Sequence, residues 1–237
     1  MPNSHIGIDA CKFGWIMINI IDEDYFSFEL MGHISAIEKY NNDTILIDIP
    51  IGLADEFIER NLDLEAKKLL TAPKKSSIFI PPCRNAIYAE NYEEAKVINK
   101  KITGKSISIQ AWNISKKIKE VDQFLINKPF TTPYLQEAHP EICFTILNNG
   151  KSLESKKSTS LGHFERLTLL KKLFPSAEKI YHTIVEKTLK KDAKKDDILD
   201  AMVLAISSFI SKNNHVNNIN NRPLIDSKGL KISLWFP

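Results

Sequence analysis

The sequence predicts an α/β protein with a mixed sheet at its centre. Three observations carry that expectation: strand-like runs crowd the stretch from His5 to Pro50, the run TILIDIP is apolar almost throughout, and helical patterns dominate from Ala54 onward. A continuously apolar strand belongs in the covered middle of an α/β sheet rather than at a wet face.

In chain order, HIGIDA (5–10) reads as a first buried strand, and Lys12, Phe13 and Gly14 as a turn into a second strand, WIMINII. Asp22, Glu23 and Asp24 mark a hairpin into YFSFELM, whose alternation predicts a third strand. A short helical stretch (33–40) and an Asn-Asn-Asp turn lead to TILIDIP, expected to run parallel to the first strand. From about 54 to 130 the pattern is that of a helical insertion, with segments at 55–70, 85–101 and 110–125 broken by Pro73, SSIFIPPCR and TGKSIS. PYLQEAHP returns to a strand, and Pro140 suits the first turn of the next helix. Helices follow over GHFERLTLLKKLF, 177–189 and KKDDILDAMVLAISSFI, then an Asn-rich loop (213–221) and a final strand in GLKISLWFP.

The chain has 237 residues, enough for one domain with a full core and no covalent staples. Its net charge of +3 permits an anionic partner without requiring one. Cys11, Cys83 and Cys143 are odd in number and widely spaced, with no CxxC pair, which argues against a disulfide framework or a zinc site. With no signal-peptide pattern at MPNSHIGIDACKFGW and no membrane-length apolar run, the expected location is the reducing cytoplasm.

Chemistry is signalled by acids. Asp197 and Asp200 are three residues apart at the start of a nearly apolar helix, hence on one face of it. Asp9 ends the first strand, Asp48 ends TILIDIP, and Glu137 lies in YLQEAHP. In open α/β sheets ligands gather beyond the carboxyl ends of strands where the strand order reverses, here between HIGIDA and TILIDIP. Each acid alone reads equally as a turn, cap or ion-pair residue. Together, Asp9, Asp48, Glu137, Asp197 and Asp200 form an expected all-oxygen site for Mg²⁺ or Mn²⁺, with room for two ions ~4 Å apart. Such a pair would activate water and stabilise the departing oxygen of a phosphodiester.

The segments GIDACKFGW, LIDIPIGL, SSIF-PP-R, S-x-QAW, EAHPE, SKKSTSLG and DDILDAM give the chain, from Ile6 to about Ala205, a resemblance to a known family. It resembles a domain of unknown function described as predicted RNase H-like nucleases. The resemblance implies an RNase H-like core: a mixed five-stranded sheet of order 3-2-1-4-5 with helices on both faces. The D-x-x-D-A at Asp197–Ala201 is also similar to the closing helix of Holliday-junction resolvases on that fold. Asp9 matches their first-strand Asp, and Asp48 stands where they carry Glu. The function implied is a metal-dependent nuclease acting on DNA or RNA.

The fold also serves sugar kinases and actin-like ATPases, but Gly7, Gly14 and Gly52 are isolated, so a glycine-rich phosphate loop is poorly represented. A non-catalytic binding member is the other alternative. Arg84, Lys156 and Lys157 are candidate phosphate holders, against the plainer reading of solvated loop charges. Gln110 and Trp112 open a helix of the insertion, where Trp112 either stacks a base or packs in the core. His139 reads as a proton carrier or a structural histidine, and Arg60 with Asp63 as a surface ion pair.

Overall fold

The computed structural model describes residues 4–40, 44–128, 134–211, 217–219 and 224–237. Strands β1 (His5–Ala10), β2 (Trp15–Ile20) and β3 (Phe26–Met31) form an antiparallel meander. β4 (Thr44–Ile47) then adds parallel to β1, and β5 (Leu135–Glu137) parallel to β4. The result is the expected mixed five-stranded sheet of order β3-β2-β1-β4-β5. β1 and β2 are buried nearly end to end, as their unbroken apolar runs require.

Between β4 and β5 lie a 3-10 turn and α1 (Leu62–Lys68), α2 (Arg84–Ile87), α3 (Tyr92–Thr103) and α4 (Ile109–Asn127). After β5 come α5 (Pro140–Leu147), α6 (Ser160–Leu173), α7 (Ala177–Lys187) and α8 (Lys195–Ile210). Two cores cover the two sheet faces. On one face Ile16, Ile18, Ile20 and Leu46 pack with α5–α8. On the other, Ile6, Ile8, Ile45, Ile47 and Leu135 pack with Ile118, Val121 and Leu125 of α4.

Gly7 sets the distance between β1 and α8. A Cβ there would lie 2.1 Å from the Ala201 carbonyl oxygen and 2.3 Å from the Ala205 amide nitrogen. Only glycine facing two alanines lets helix and strand meet backbone to backbone, and that contact lowers the start of α8 onto the end of β1.

Several elements depart from the sequence reading. The helix expected over 55–70 is confined to α1, because polar side chains claim the backbone before it. Asp55 accepts the amides of Phe57 (2.9 Å) and Ile58 (3.1 Å), and Arg60 donates to the carbonyls of Ile51 (2.8 Å) and Gly52 (2.7 Å). The helix expected over 85–101 is two helices, the second restarted by the Asn91 side chain accepting the Glu94 amide at 3.0 Å. The stretch 33–40 is a 3-10 helix, Ile34–Tyr40. GLKISLWFP is two short strands rather than one: β8 (Lys231–Ile232) pairs with β7 (Leu224–Ile225), and β9 (Trp235–Phe236) with β6 (Asn217–Asn218). Two of the Asn-rich residues are therefore strand. The remainder of that loop, apart from Ile219, lies outside the described residues, as do the 41–43 turn, the edge of the insertion at 129–130 and the start of PYLQEAHP. The three cysteines are free. No helix among the described residues is long and apolar enough to cross a membrane.

Candidate acidic site

Strand register decides which acids meet. Ile8 pairs with Ile47 across β1 and β4, and the Asp48 amide donates to the Ile8 carbonyl at 3.0 Å, so Asp9 and Asp48 are neighbours at the same level. Side chains alternate along a strand, so Asp9 shares the face of Gly7, and Asp48 that of Leu46, which is the face α8 covers. Asp200, on the first turns of α8, closes the group from above and is 1 % exposed.

The electrostatics follow from this proximity. Burial, then the charges of Asp48 and Asp200, hold the Asp9 carboxyl well above its ordinary value, with Lys157 opposing. Burial also raises Asp48, against the pull of His139 and Lys157. Asp200 is raised to about 6 by burial, although Lys157 Nζ lies 2.6 Å from its Oδ2. Its Oδ1 is buried with no hydrogen-bond partner among the described residues. Burial would strip Lys157 of its charge, but Asp200 and Asp9 outweigh it and hold the ammonium strongly protonated. Among the described residues, no three His, Cys, Asp or Glu side chains already converge as a metal cage.

Asp197 stands at the rim. Its carboxylate accepts the Lys194 amide at 2.8 Å, so it caps α8 while adding to the negative potential at Asp9. Burial raises its carboxyl as well. The β1–β2 hairpin is tied to this helix start, with the Phe13 amide donating to the Asp192 carbonyl at 2.9 Å.

Glu137 does not join the group. Its register partner is Ile47, so it faces the opposite side of the sheet from Asp48. There Arg60 Nη2 meets its Oε1 at 2.6 Å and the Ile51 amide its Oε2 at 2.7 Å, while Arg60 also clasps Asp63 at 2.9 and 3.0 Å. Arg60 and Asp63 are thus a buried device, 6 % and 4 % exposed, and not the surface pair their spacing suggested. Burial raises Glu137 to about 7 in spite of Arg60.

The other candidates divide. Lys157 reaches the acids. Lys156 is exposed beside it, its carbonyl held by the Thr159 amide (3.1 Å) and hydroxyl (2.9 Å). Arg84 is committed elsewhere: its guanidinium meets Asp122 (Nη2–Oδ1, 2.9 Å), Asp226 and, more distantly, Asp55 (3.8 Å), so it has no free edge for a phosphate. Trp112 is half-buried in the insertion, tilted against Tyr92 at 6.0 Å between ring centroids. Gln110 is exposed on α4.

Three features escaped the sequence reading. Glu141 of EAHPE is buried and paired with the fully buried Arg166, with Lys74 at 3.7 Å. Exposed lysines cluster in the segments that lead into the acids or adjoin Lys157: Lys12, Lys156, Lys190, Lys191, Lys194 and Lys195. The run KKDAKK was their visible signal. Finally, a cavity of about 570 Å³ lies in the helical region, lined by residues that include Phe57, Ile78, Phe79, Pro82, Ile102 and Ser106. The intervening Ser77 offers its carbonyl to His139 Nε2 at 3.4 Å, so this segment borders both the cavity and the acid group.

A family model described as "Protein of unknown function (DUF429)" matches residues 7–219. No curated protein and no solved structure matches the chain.

Proposed function

The chain belongs to this DUF429 family, whose description assigns no activity, so from the site's own chemistry we propose a metal-dependent nuclease that hydrolyses phosphodiester bonds. The observation that carries this reading is the placement of Asp9 and Asp48 side by side at adjacent strand ends, beneath the buried Asp200 that Lys157 Nζ contacts. Three ionised carboxylates there repel one another unless a cation joins them.

The donor set fits the ion. It is all oxygen and strongly negative, and the buried Asp200 Oδ1 has no hydrogen-bond partner among the described residues, which suits Mg²⁺ or Mn²⁺ rather than zinc. Asp9, Asp48 and Asp200 would hold it, with Asp197 at the rim. When bound, such an ion polarises a phosphoryl oxygen and lowers the pKa of water.

The chain's own residues supply the remaining functions. The exposed lysines attract a polyanion to the mouth of an acidic pocket that would otherwise repel it. Lys12 and Lys194, each exposed and three residues from Asp9 and Asp197 respectively, would contact phosphates on either side of the scissile one. The half-exposed Phe13 beside them offers a ring face to a base. His139, whose charge would stabilise that of Asp48, has a buried Nδ1 without a hydrogen-bond partner among the described residues.

The test is cleavage of single-stranded, duplex and branched DNA and RNA with Mg²⁺ or Mn²⁺. Wild type should cut at least one of these, and Asp9→Asn should lower the rate by about a hundredfold or more. Retained binding without cleavage in the wild type would point instead to a non-catalytic nucleic-acid-binding member.

A further inference from the structure

We propose that Lys157 is a built-in cation of the acidic site, occupying one of the two positions that a pair of divalent ions would take, so that the site binds a single Mg²⁺ or Mn²⁺. The inference rests on the metal-dependent reading above and narrows it.

Lys157 Nζ sits 2.6 Å from Asp200 Oδ2, and its charge acts on Asp9 and Asp48 as well. Its side chain is half-exposed, but the loop that carries it is fastened on both sides. Before it, Leu153 is buried, and the amides of Glu154 and Ser155 donate to the two Glu165 oxygens, each at 3.0 Å. The Ser155 carbonyl takes Lys74 Nζ at 2.8 Å and Arg166 Nη1 at 3.4 Å. After it, Thr159 caps α6 by accepting the Gly162 amide at 3.1 Å while its own amide and hydroxyl bind the Lys156 carbonyl. A Cβ on Gly162 would stand 2.0 Å from that same carbonyl oxygen, so the first turn of α6 presses directly on the loop backbone. SKKSTSLG thereby acquires a physical purpose: its threonine and glycine fix the loop, and its second lysine delivers charge to Asp200.

Charge balance limits what else can enter. Glu141 is already neutralised by Arg166, and Asp197 spends an oxygen on the Lys194 amide. Three carboxylates remain, those of Asp9, Asp48 and Asp200. One ammonium and one divalent ion match them, whereas two divalent ions beside the ammonium would leave an excess of two positive charges around the buried Asp9 and Asp200.

The experiment is Mn²⁺ binding to the full chain, followed by titration calorimetry and by the electron paramagnetic resonance of the free ion. The variants are Lys157→Met, which removes the charge, and Lys157→Arg, which keeps it; circular dichroism checks their fold. One ion per chain is expected in wild type and Lys157→Arg, and two in Lys157→Met. Two ions per wild-type chain would overturn the assignment and leave the metal reading intact. So would a Lys157→Met protein that still binds one ion with unchanged affinity. Binding to none of the three proteins would remove the metal reading itself, and this inference with it. Should Lys157→Met fail to fold, the wild-type stoichiometry still decides.

Discussion

Adjacent strands β4 and β5 each present an acid, Asp48 and Glu137, and the two lie under opposite rules. On the α4 side of the sheet, Glu137 meets Arg60 and the Ile51 amide, and Arg60 spends its remaining donors on Asp63 and two carbonyls. Every charge there has a partner, and the product is a fixed loop. On the α8 side, Lys157 bonds Asp200 beside Asp9 and Asp48, and one buried Asp200 oxygen has no hydrogen-bond partner among the described residues. The first group is finished by the fold; the second is finished only by something that binds. Burial alone does not separate structural from functional acids, and the local balance of charge does.

That contrast breaks most readily on its structural side. Arg60→Met leaves Glu137 and Asp63 buried without their cation and should cost about 3–5 kcal/mol in urea unfolding. A loss below about 1 kcal/mol would mean that the two groups do not differ in kind.

On the functional side the effect is smaller and depends on pH. The folded Asp200 carboxyl titrates at about 6, above the value near 4 of an unfolded aspartate. Between those values the folded state holds the extra proton, so in a chelator stability should fall as pH rises from about 4 to about 6. Thermal unfolding across that range should show the slope, and Asp200→Asn should lessen it, the raised carboxyls of Asp9, Asp48 and Glu137 supplying the rest. Mn²⁺ affinity should rise over the same interval, because the ion needs the ionised form.

Much of the fold was legible because the apolar runs are long and their periods clear: HIGIDA, WIMINII and TILIDIP admit one reading as buried strands, and the strand order followed from the family resemblance. The acids Asp9, Asp48 and Asp200 were legible from their places at element ends. Glu137 was misplaced by one step of register, since neighbouring positions on a strand point to opposite faces and no sequence feature fixed whether Asp48 would align with Glu137 or with Ala138. Arg60 read as a surface charge and Arg84 as a phosphate holder or solvated loop charge, because their partners, Glu137 for one and Asp122 and Asp226 for the other, are remote in sequence. Three-residue spacing between Arg60 and Asp63 carries no information about depth. The lysine cluster was present as KKDAKK, but its relation to the acids appears only when the Asp192 carbonyl is tied to the β1–β2 hairpin.

The most direct measurement is thermal unfolding of wild type and Asp9→Asn at pH 8, in chelator and with Mn²⁺. If Asp9 belongs to an uncompensated group that awaits a cation, Asp9→Asn is more stable than wild type in chelator, and Mn²⁺ raises the melting temperature of wild type alone. An Asp9→Asn protein less stable than wild type in chelator, with no response of wild type to Mn²⁺, would contradict the account.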